Sequence, residues 1–443
     1  MKKPNIIILV IDTLREDHSQ GLEKLRELGF VKYENAIAPA PWTLPSHISL
    51  ITGLYPSQHG VHEAFGVYPD REMMGLSASQ LNKLNHGIIG ELMEEDYNTY
   101  IFSANPFLSP YFGFNKYTES FIVYYSSLDK VNDIKELNRI RYLDSLVNDK
   151  GYIGTAKYLI NQGNYGLLFY GIKTFIMRRL RKFAAMIGLL DLTMEKGSTL
   201  ILKLLNEIKL NEPFFLLINI MEAHGPYVNS EFWSDFAAKA VHKAVFENVI
   251  DERVANILRK EYSRHAEYAV NKAIDIVHTL NRYLDNALFI ITSDHGELLG
   301  DGGLSHGYFL KDGLLRVPLW VKWPNSFRAP KQNRPFISLV EIPSMIKAAV
   351  NNDDCEVGSS VAISESFGPP PWLLPNNHKA RYKNLSVETL IKKFSHRIRI
   401  YTSKCTFTYD ESLDSIEDNN CEESVARRII DVIRPTLNVG PSI

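Results

Sequence analysis

The sequence predicts an α/β protein: a large, mixed but mainly parallel sheet flanked by helices, followed by a small C-terminal α+β subdomain. Two observations carry that expectation. Apolar runs, Ile6 to Ile11, Phe214 to Ile220 and Ala287 to Thr292, alternate with longer segments of helical periodicity, the pattern of βα units whose strands are buried on both faces. Each run also leads into acidic or imidazole side chains: Asp12 after the first, Glu222 and His224 after the second, Asp294 and His295 after the third. In one parallel sheet these groups meet at the carboxyl rim, where open α/β sheets bind ligands. Carboxylates and imidazoles gathered there read as a metal-centred active site.

In chain order, Asn5 to Ile11 is the first strand; two lysines precede it, but it is too short for the apolar core of a secretory signal. Gly21 to Leu28 reads as a short helix. Between Pro41 and Gly53, Thr43 offers an N-capping hydroxyl, Pro45 sits where a missing N–H costs nothing, and Gly53 follows the last apolar position. A short helix with Thr43 at its positive end is expected. Gly90 to Glu95 is another helix, and Thr99 to Ser103 a β-branched and aromatic buried strand. From about Tyr117 to Leu192 the pattern turns helical, with Tyr, Lys and Arg throughout and no clear strand, as in an insert over the site. Arg259 to Arg282 is a long amphipathic helix, and Val317 to Trp323 a strand before Pro324.

These elements divide the chain into a catalytic α/β domain, 1–330, with its helical insert at about 117–192, and a linker with C-terminal α+β subdomain, 331–443. The loop Asn325 to Asn333 and the four prolines of Gly368 to Pro375 are linkers or lids. His396 to Tyr401 and Cys405 to Tyr409 are expected to pair as a hairpin, and after the polar stretch Asp410 to Asn420 a helix runs from Glu422 to Ile433.

Composition narrows the partners. Lys and Arg number 49 against 51 Asp and Glu, so no global field draws in nucleic acid. No apolar run approaches the roughly 20 residues that span a bilayer, and a cytoplasmic location is the default expectation. Cys355, Cys405 and Cys421 lack metal-ligand spacing and read as ordinary thiols of a reducing compartment. Tyr165 to Leu190 mixes apolar residues with Arg178, Arg179, Arg181 and Lys182. Such a stretch suits a weak contact with anionic lipid or a polyanionic substrate; the simpler expectation is a solvated helix face over the site. Nothing in the sequence speaks to oligomeric state.

Four segments, in order, resemble one family. Asn5 to His18 (Asn-Ile-Ile-Ile-Leu-Val-Ile-Asp-Thr-Leu-Arg-Glu-Asp-His), Thr43 to Pro56 ending Leu-Ile-Thr-Gly-Leu-Tyr-Pro, Thr292-Ser293-Asp294-His295-Gly296-Glu297 and Leu315-Arg316-Val317-Pro318-Leu319 are similar to motifs of the sulfatase branch of the alkaline phosphatase superfamily. Ala223-His224-Gly225-Pro226-Tyr227 resembles a further substrate-site motif, and Arg399 to Asp410 the family's C-terminal hairpin. The resemblance implies an alkaline phosphatase-like fold and a divalent metal held by Asp12, Asp294 and His295. The oxygen of Thr43 would complete that site and attack sulfur or phosphorus. Two carboxylates with one imidazole suit Mn or Zn; Mg is compatible, and Ca prefers an all-oxygen shell.

The chain departs from true sulfatases at four places. Thr43 stands where their Cys or Ser becomes formylglycine, His47 replaces the Arg of that motif, Thr13 replaces the second of two adjacent aspartates, and Ala104-Asn105-Pro106 lies where a Lys-x-His segment belongs. A formylglycine hydrate expels sulfate by elimination, which a threonine ester cannot do, and relatives with a Thr nucleophile act on phosphorus. Phosphate or phosphonate esters of a small molecule or glycan are therefore placed ahead of sulfate esters.

Further roles follow. Glu222, His224 and His306 are candidates for a second metal; otherwise His306 protonates the leaving alcohol or hydrogen-bonds substrate, and His224 contacts a substrate oxygen. His47, one turn from Thr43, either contacts the transferred group or lies on the helix surface. Asn105 is a candidate oxyanion donor. Glu297, His59 and His62 are taken as structural. Two alternatives share the fold: a phosphoglycerol or phosphoethanolamine transferase acting on envelope glycans, and a degenerate binding protein without the metal.

Overall fold

A computed structural model describes residues 2–63, 71–124, 129, 131–229, 231–370 and 393–437. Its strands are β1 (Asn5–Ile11), β2 (Val31–Ile37), β3 (Asn98–Ser103), β4 (Glu119–Ile122), β5 (Phe214–Ile220), β6 (Ala287–Thr292), β7 (Leu298–Leu299), β8 (Leu304–Ser305), β9 (Arg316–Lys322), β10 (Ile337–Ser338), β11 (Val361–Ser366), β12 (Arg397–Thr402), β13 (Thr406–Asp410) and β14 (Ser415–Glu417). The helices are α1 (Thr43–Thr52), α2 (Pro56–His59), α3 (Arg71–Lys83), α4 (Ile88–Glu94), α5 (Ile134–Asn161), α6 (Tyr165–Met186), α7 (Ser198–Glu207), α8 (Glu231–Glu247), α9 (Glu252–Thr279), α10 (Asp312–Leu315), α11 (Ile342–Asn351) and α12 (Glu423–Leu437).

Eight strands form the central sheet in the order β10-β2-β9-β6-β1-β5-β3-β4. From β6 to β4 every pairing is parallel; β9 runs antiparallel to both of its neighbours. The sheet is mixed and mainly parallel, as expected. Every residue of β1, β5 and β6 is buried, because each face has its own helical layer. Ile7, Leu9 and Ile11 point into a core built with α7, α8 and α9, while Ile6, Ile8 and Val10 point into one built with α1, α4 and α11. That period-two division is why the strands read as unbroken apolar runs.

The helical insert holds a strand that its sequence does not announce. Glu119–Ile122 pairs parallel with β3 as the sheet's edge, and with its first two residues polar and exposed and none of the four buried it gives no strand signal. The edge position accounts for that polarity. The large layer also takes in residues beyond 330: β10 pairs with β2, and α11 packs into the central core.

A second, antiparallel sheet, β11-β12-β13-β14, with α12 on its apolar face, is the small C-terminal unit, and β12 and β13 pair as the expected hairpin. Of the proline-rich segment Gly368 to Pro375, residues 371–375 lie outside the described residues. The reading of the cysteines is corrected here. Cys405 and Cys421 form a disulfide across a Cα–Cα distance of 5.5 Å, because β14 returns the chain to the start of β13; Cys355 is free. The thiol argument for a reducing compartment falls with that pair. Among the described residues no helix is long and apolar enough to cross a membrane.

Candidate active site

The register of three strands brings the site together. β1 pairs with β5 up to Ile11↔Ile220 and with β6 up to Val10↔Thr292, so Asp12 and the Asp294-His295 pair leave the sheet at the same rim. Thr13 turns the chain immediately, at φ 61°. Its backbone N–H donates to Asp294 Oδ1 at 3.3 Å, and its hydroxyl donates back to the Asp12 carbonyl. Tyr262 and Ser293 hold the next residues: Tyr262 donates to the Thr13 carbonyl at 2.7 Å, and Leu14 N–H donates to Ser293 Oγ at 2.9 Å. Gly296 is needed where the third strand end passes α10, since a Cβ there would lie 2.3 Å from the Gly313 carbonyl oxygen.

Asp12, Asp294 and His295 are fully buried, and one ligand atom from each lies within 4.8 Å of the others. Asp12 Oδ2 accepts from Asn105 Nδ2 at 2.8 Å and Asn219 Nδ2 at 3.3 Å; Asp294 Oδ1 accepts from the N–H of Thr13 and His295. The remaining oxygens, Asp12 Oδ1 and Asp294 Oδ2, are buried with no hydrogen-bond partner. His295 donates Nδ1–H to the Gly296 carbonyl at 2.9 Å, which leaves the lone pair of Nε2 facing 3.5 Å from Asp294 Oδ2 and 4.0 Å from Asp12 Oδ1. Burial, reinforced by His306, pushes the His295 pKa down to about 3, so the imidazole is neutral. Two buried carboxylates with orphaned oxygens and a neutral imidazole lone pair form a donor set that a divalent cation satisfies and that is costly without one.

Thr43 is 2% exposed, and the expectation that its hydroxyl caps the helix is corrected. Trp42 is the N-cap, with no side-chain cap, and Thr43 is already the first helical residue. Its hydroxyl is therefore spared for the site, 3.4 Å from His295 Nε2 and 3.5 Å from Asn105 Nδ2. Gly53 closes the helix at φ 72° as expected. Ser46 Oγ donates to the Asp294 carbonyl at 2.6 Å, tying the first turn of α1 to the end of β6. His47 is fully buried, which removes the surface reading. It donates Nδ1–H to the Thr43 carbonyl at 2.9 Å, with Asn219 Nδ2 3.5 Å from its Nε2.

Thr43 opens onto a cleft of about 430 Å³ lined by Phe107, His224, Tyr227, Trp233, Glu297 and His306 among others. The rings of His224 and His295 lie 4.9 and 4.8 Å from that of His306. His306 follows the ribbon β7–β8 and lies 3.0 Å through Nδ1 from Glu297 Oε2, which also accepts from Tyr227 OH at 2.8 Å. Burial disfavours the imidazolium, but the Glu297 carboxylate outweighs it and raises the His306 pKa. Burial likewise works against the Glu297 carboxylate, and the adjacent histidine lowers its pKa all the same. His224 donates Nδ1–H to the Gly225 carbonyl and is held neutral chiefly by burial.

Glu222, a candidate for a second metal, is not brought to this centre. Its Oε1 accepts from the backbone N–H of Lys196 and Ser198, where it satisfies N–H groups at the start of α7. Among the described residues Asp12, Asp294 and His295 are the one group arranged to hold an ion, so Glu222, His224 and His306 do not form a second. Three participants escaped the sequence reading. Asn219 is not among the candidates the sequence offers, Tyr227 figures there only as the last residue of the Ala223–Tyr227 motif with no role of its own, and Glu297 reads there as structural. Asn219 did leave a signal, as the single polar residue in the run Phe214–Ile220.

Fold and site together define an ester hydrolase of the α/β class. The sulfatase family profile matches residues 4–351, and the chain belongs to the sulfatase family. It is similar to an arylsulfatase of Clostridium perfringens, 20% identical over 414 residues that cover 81% of this chain and 76% of that protein. A choline-sulfatase of Rhizobium meliloti is 26% identical over 145 residues, 27% of this chain and 28% of that one. Among solved structures, phosphonate monoester hydrolases of Silicibacter pomeroyi and Agrobacterium radiobacter superpose with TM-scores of 0.58 and 0.57, at 13% and 14% identity. Those matches cover 98% of this chain in both cases, and 94% and 95% of the respective structures. At such identities the likeness establishes the fold.

Proposed function

We propose that this hydrolase cleaves phosphate or phosphonate esters, ahead of sulfate esters, through a covalent ester on Thr43. The observation that carries this reading is the Thr43 hydroxyl 3.4 Å from His295 Nε2, beside the two orphaned carboxylate oxygens of Asp12 and Asp294. A divalent cation, with Mn or Zn best suited to the donors, would be held by Asp12, Asp294, His295 and Thr43; bound there it supplies positive charge to the ester oxygens and favours ionisation of the Thr43 hydroxyl.

The protein's own groups perform the rest. Thr43 Oγ, already ionised with its proton lost to solvent, attacks phosphorus, a Thr43 O–P bond forms and the bond from phosphorus to the alcohol oxygen breaks. His306, protonated against Glu297, gives its proton to that departing oxygen. Water then attacks the same phosphorus, neutral His306 takes up its proton, the Thr43 O–P bond breaks to return Thr43 as the alkoxide, and the phosphate or phosphonate anion leaves. Asn105 and the start of α1 place N–H donors beside the reacting oxygens, and His224 offers a contact to the substrate. Threonine supports phosphorus because a threonine sulfate lacks the hydrate through which formylglycine eliminates sulfate.

The test is a panel of aryl sulfate, aryl phosphate, phosphodiester and phosphonate monoester substrates, each with Mn, Zn, Mg or Ca. The expected outcome is turnover of phosphorus esters with Mn or Zn, abolished in Thr43→Ala with folding intact. Turnover confined to sulfate, or unchanged in Thr43→Ala, would overturn the reading.

A further inference from the structure

Helix α6 runs 22 residues without one buried side chain, although its composition is strongly apolar. Tyr165, Phe169, Ile172, Ile176, Leu180 and Phe183 fall, at 3.6 residues per turn, within an arc of roughly 80°. Phe169 is 68% exposed, Leu180 57% and Phe183 56%. Soluble surfaces rarely leave so continuous a stripe uncovered. Nor is the helix merely turned the wrong way, because its other side is anchored. Arg178 donates to Asp129 at 2.7 and 2.8 Å and to Asp144 at 2.7 and 2.9 Å, and Tyr170 OH donates to Glu136 on α5 at 3.2 Å. These bonds fix the apolar stripe outward. The apolar surface continues into an open groove of about 620 Å³ between α5 and α6.

Charge identifies what covers the stripe. The helix holds Lys173, Arg178, Arg179, Arg181 and Lys182 and no acidic residue; on the same wheel Lys173 and Arg179 flank the stripe on its two sides. A second copy of the chain seated on this face would set basic edges against basic edges. Anionic headgroups above an acyl layer match both features at once, and a helix too polar to span the bilayer lies in its plane. We propose that α6 docks this protein on an anionic membrane surface, its apolar stripe among the acyl chains and Lys173 and Arg179 against the phosphates. The segment that follows α6 is bonded to the loop that carries the cleft. Leu192 N–H donates to Asn229 Oδ1 and Asn229 Nδ2 to the Leu190 carbonyl, two residues beyond Tyr227, so docking carries the cleft to the lipid surface.

The experiment is flotation of the full chain with vesicles of phosphatidylcholine alone and of phosphatidylcholine with an equal part of phosphatidylglycerol. The second vesicle is expected to bind at least about tenfold more protein, and added salt to weaken that binding. Phe169→Glu with Leu180→Glu should cut it at least about tenfold with an unchanged melting temperature, since both side chains are already exposed. Lys173→Glu with Arg179→Glu should remove the preference for phosphatidylglycerol. No vesicle binding by the wild type, or equal binding by the Phe169/Leu180 variant, would overturn the proposal. So would sedimentation showing a wild-type dimer that this variant dissolves while neither binds vesicles. None of these measurements requires turnover, so they stand or fall apart from the reaction proposed for Thr43.

Discussion

Replacing Glu297 with Gln separates a proton donor from a structural prop. The carboxylate is 3% exposed, lies 3.0 Å from His306 Nδ1 and accepts from Tyr227 OH at 2.8 Å. Gln keeps an acceptor for Tyr227 and nearly the same volume but removes the charge that raises the His306 pKa against burial. With its hydrogen bonds largely preserved, the fold should lose about 1–3 kcal/mol, the range for a disturbed buried polar group. Catalysis should lose much more, and selectively. A general acid is worth about 10²–10⁴ in rate, roughly 3–5 kcal/mol of barrier, and only where the leaving oxygen needs a proton. The assay is kcat/KM for a series of phosphate esters whose leaving alcohols span weakly to strongly acidic phenols. In the variant, esters of poor leaving groups should slow within that range, while those of the most acidic phenols slow by less than about tenfold. A uniform loss across the series would refute His306 as the donor and leave Glu297 a purely structural role.

Other perturbations test separate parts of the account. Asn219→Ala removes a hydrogen bond to Asp12 Oδ2 and should weaken Mn binding about 10–100-fold, the usual effect of a lost partner to a metal ligand, as read by titration calorimetry. His396 lies 2.6 Å from Glu411 and 3.1 Å from Glu365; burial opposes its charge, but the two carboxylates raise its pKa from 6.5 to about 9. Because the folded pKa is the higher one, this contribution is full below pH 6.5 and lost as pH climbs through about 9. Urea unfolding of wild type against His396→Gln should show their difference shrink by about 3 kcal/mol over that window; a constant difference contradicts the ion-pair assignment. The Cys405–Cys421 disulfide closes a separation of 16 residues, and Cys405→Ser should cost about 3 kcal/mol, seen as a lower melting temperature that reductant reproduces in the wild type.

The site's centre was legible because buried parallel strands leave a plain trace. An unbroken apolar run must stop where the sheet stops, and the first acidic residues beyond Ile11 and Thr292, Asp12 and Asp294, are the ones at the rim. Glu119–Ile122 failed for the converse reason: an edge strand has solvent on one side, so it lacks an unbroken apolar run and merges with the helical insert that follows. Thr43 was placed at the right helix end but one position out. Cap and first-turn positions favour the same residue types, and only backbone angles separate them. Glu222 misled because a carboxyl group after a strand serves equally to accept the free N–H groups of a helix start. The Cys405–Cys421 pairing depends on how β14 returns, which spacing alone does not encode. The role of Glu297 is tertiary: its partners His306 and Tyr227 come from a different loop and a different strand end.

The central claim, a single cation site made by Asp12, Asp294 and His295 with Thr43 beside it, is tested most directly by Mn binding followed by electron paramagnetic resonance. The purified chain should take up one Mn per molecule. Asp294→Asn should lose at least about 100-fold in affinity, whereas Thr43→Ala, which removes one oxygen donor but leaves both carboxylates and the imidazole in place, should lose less than about tenfold. Mn bound as tightly by Asp294→Asn as by the wild type would contradict the account.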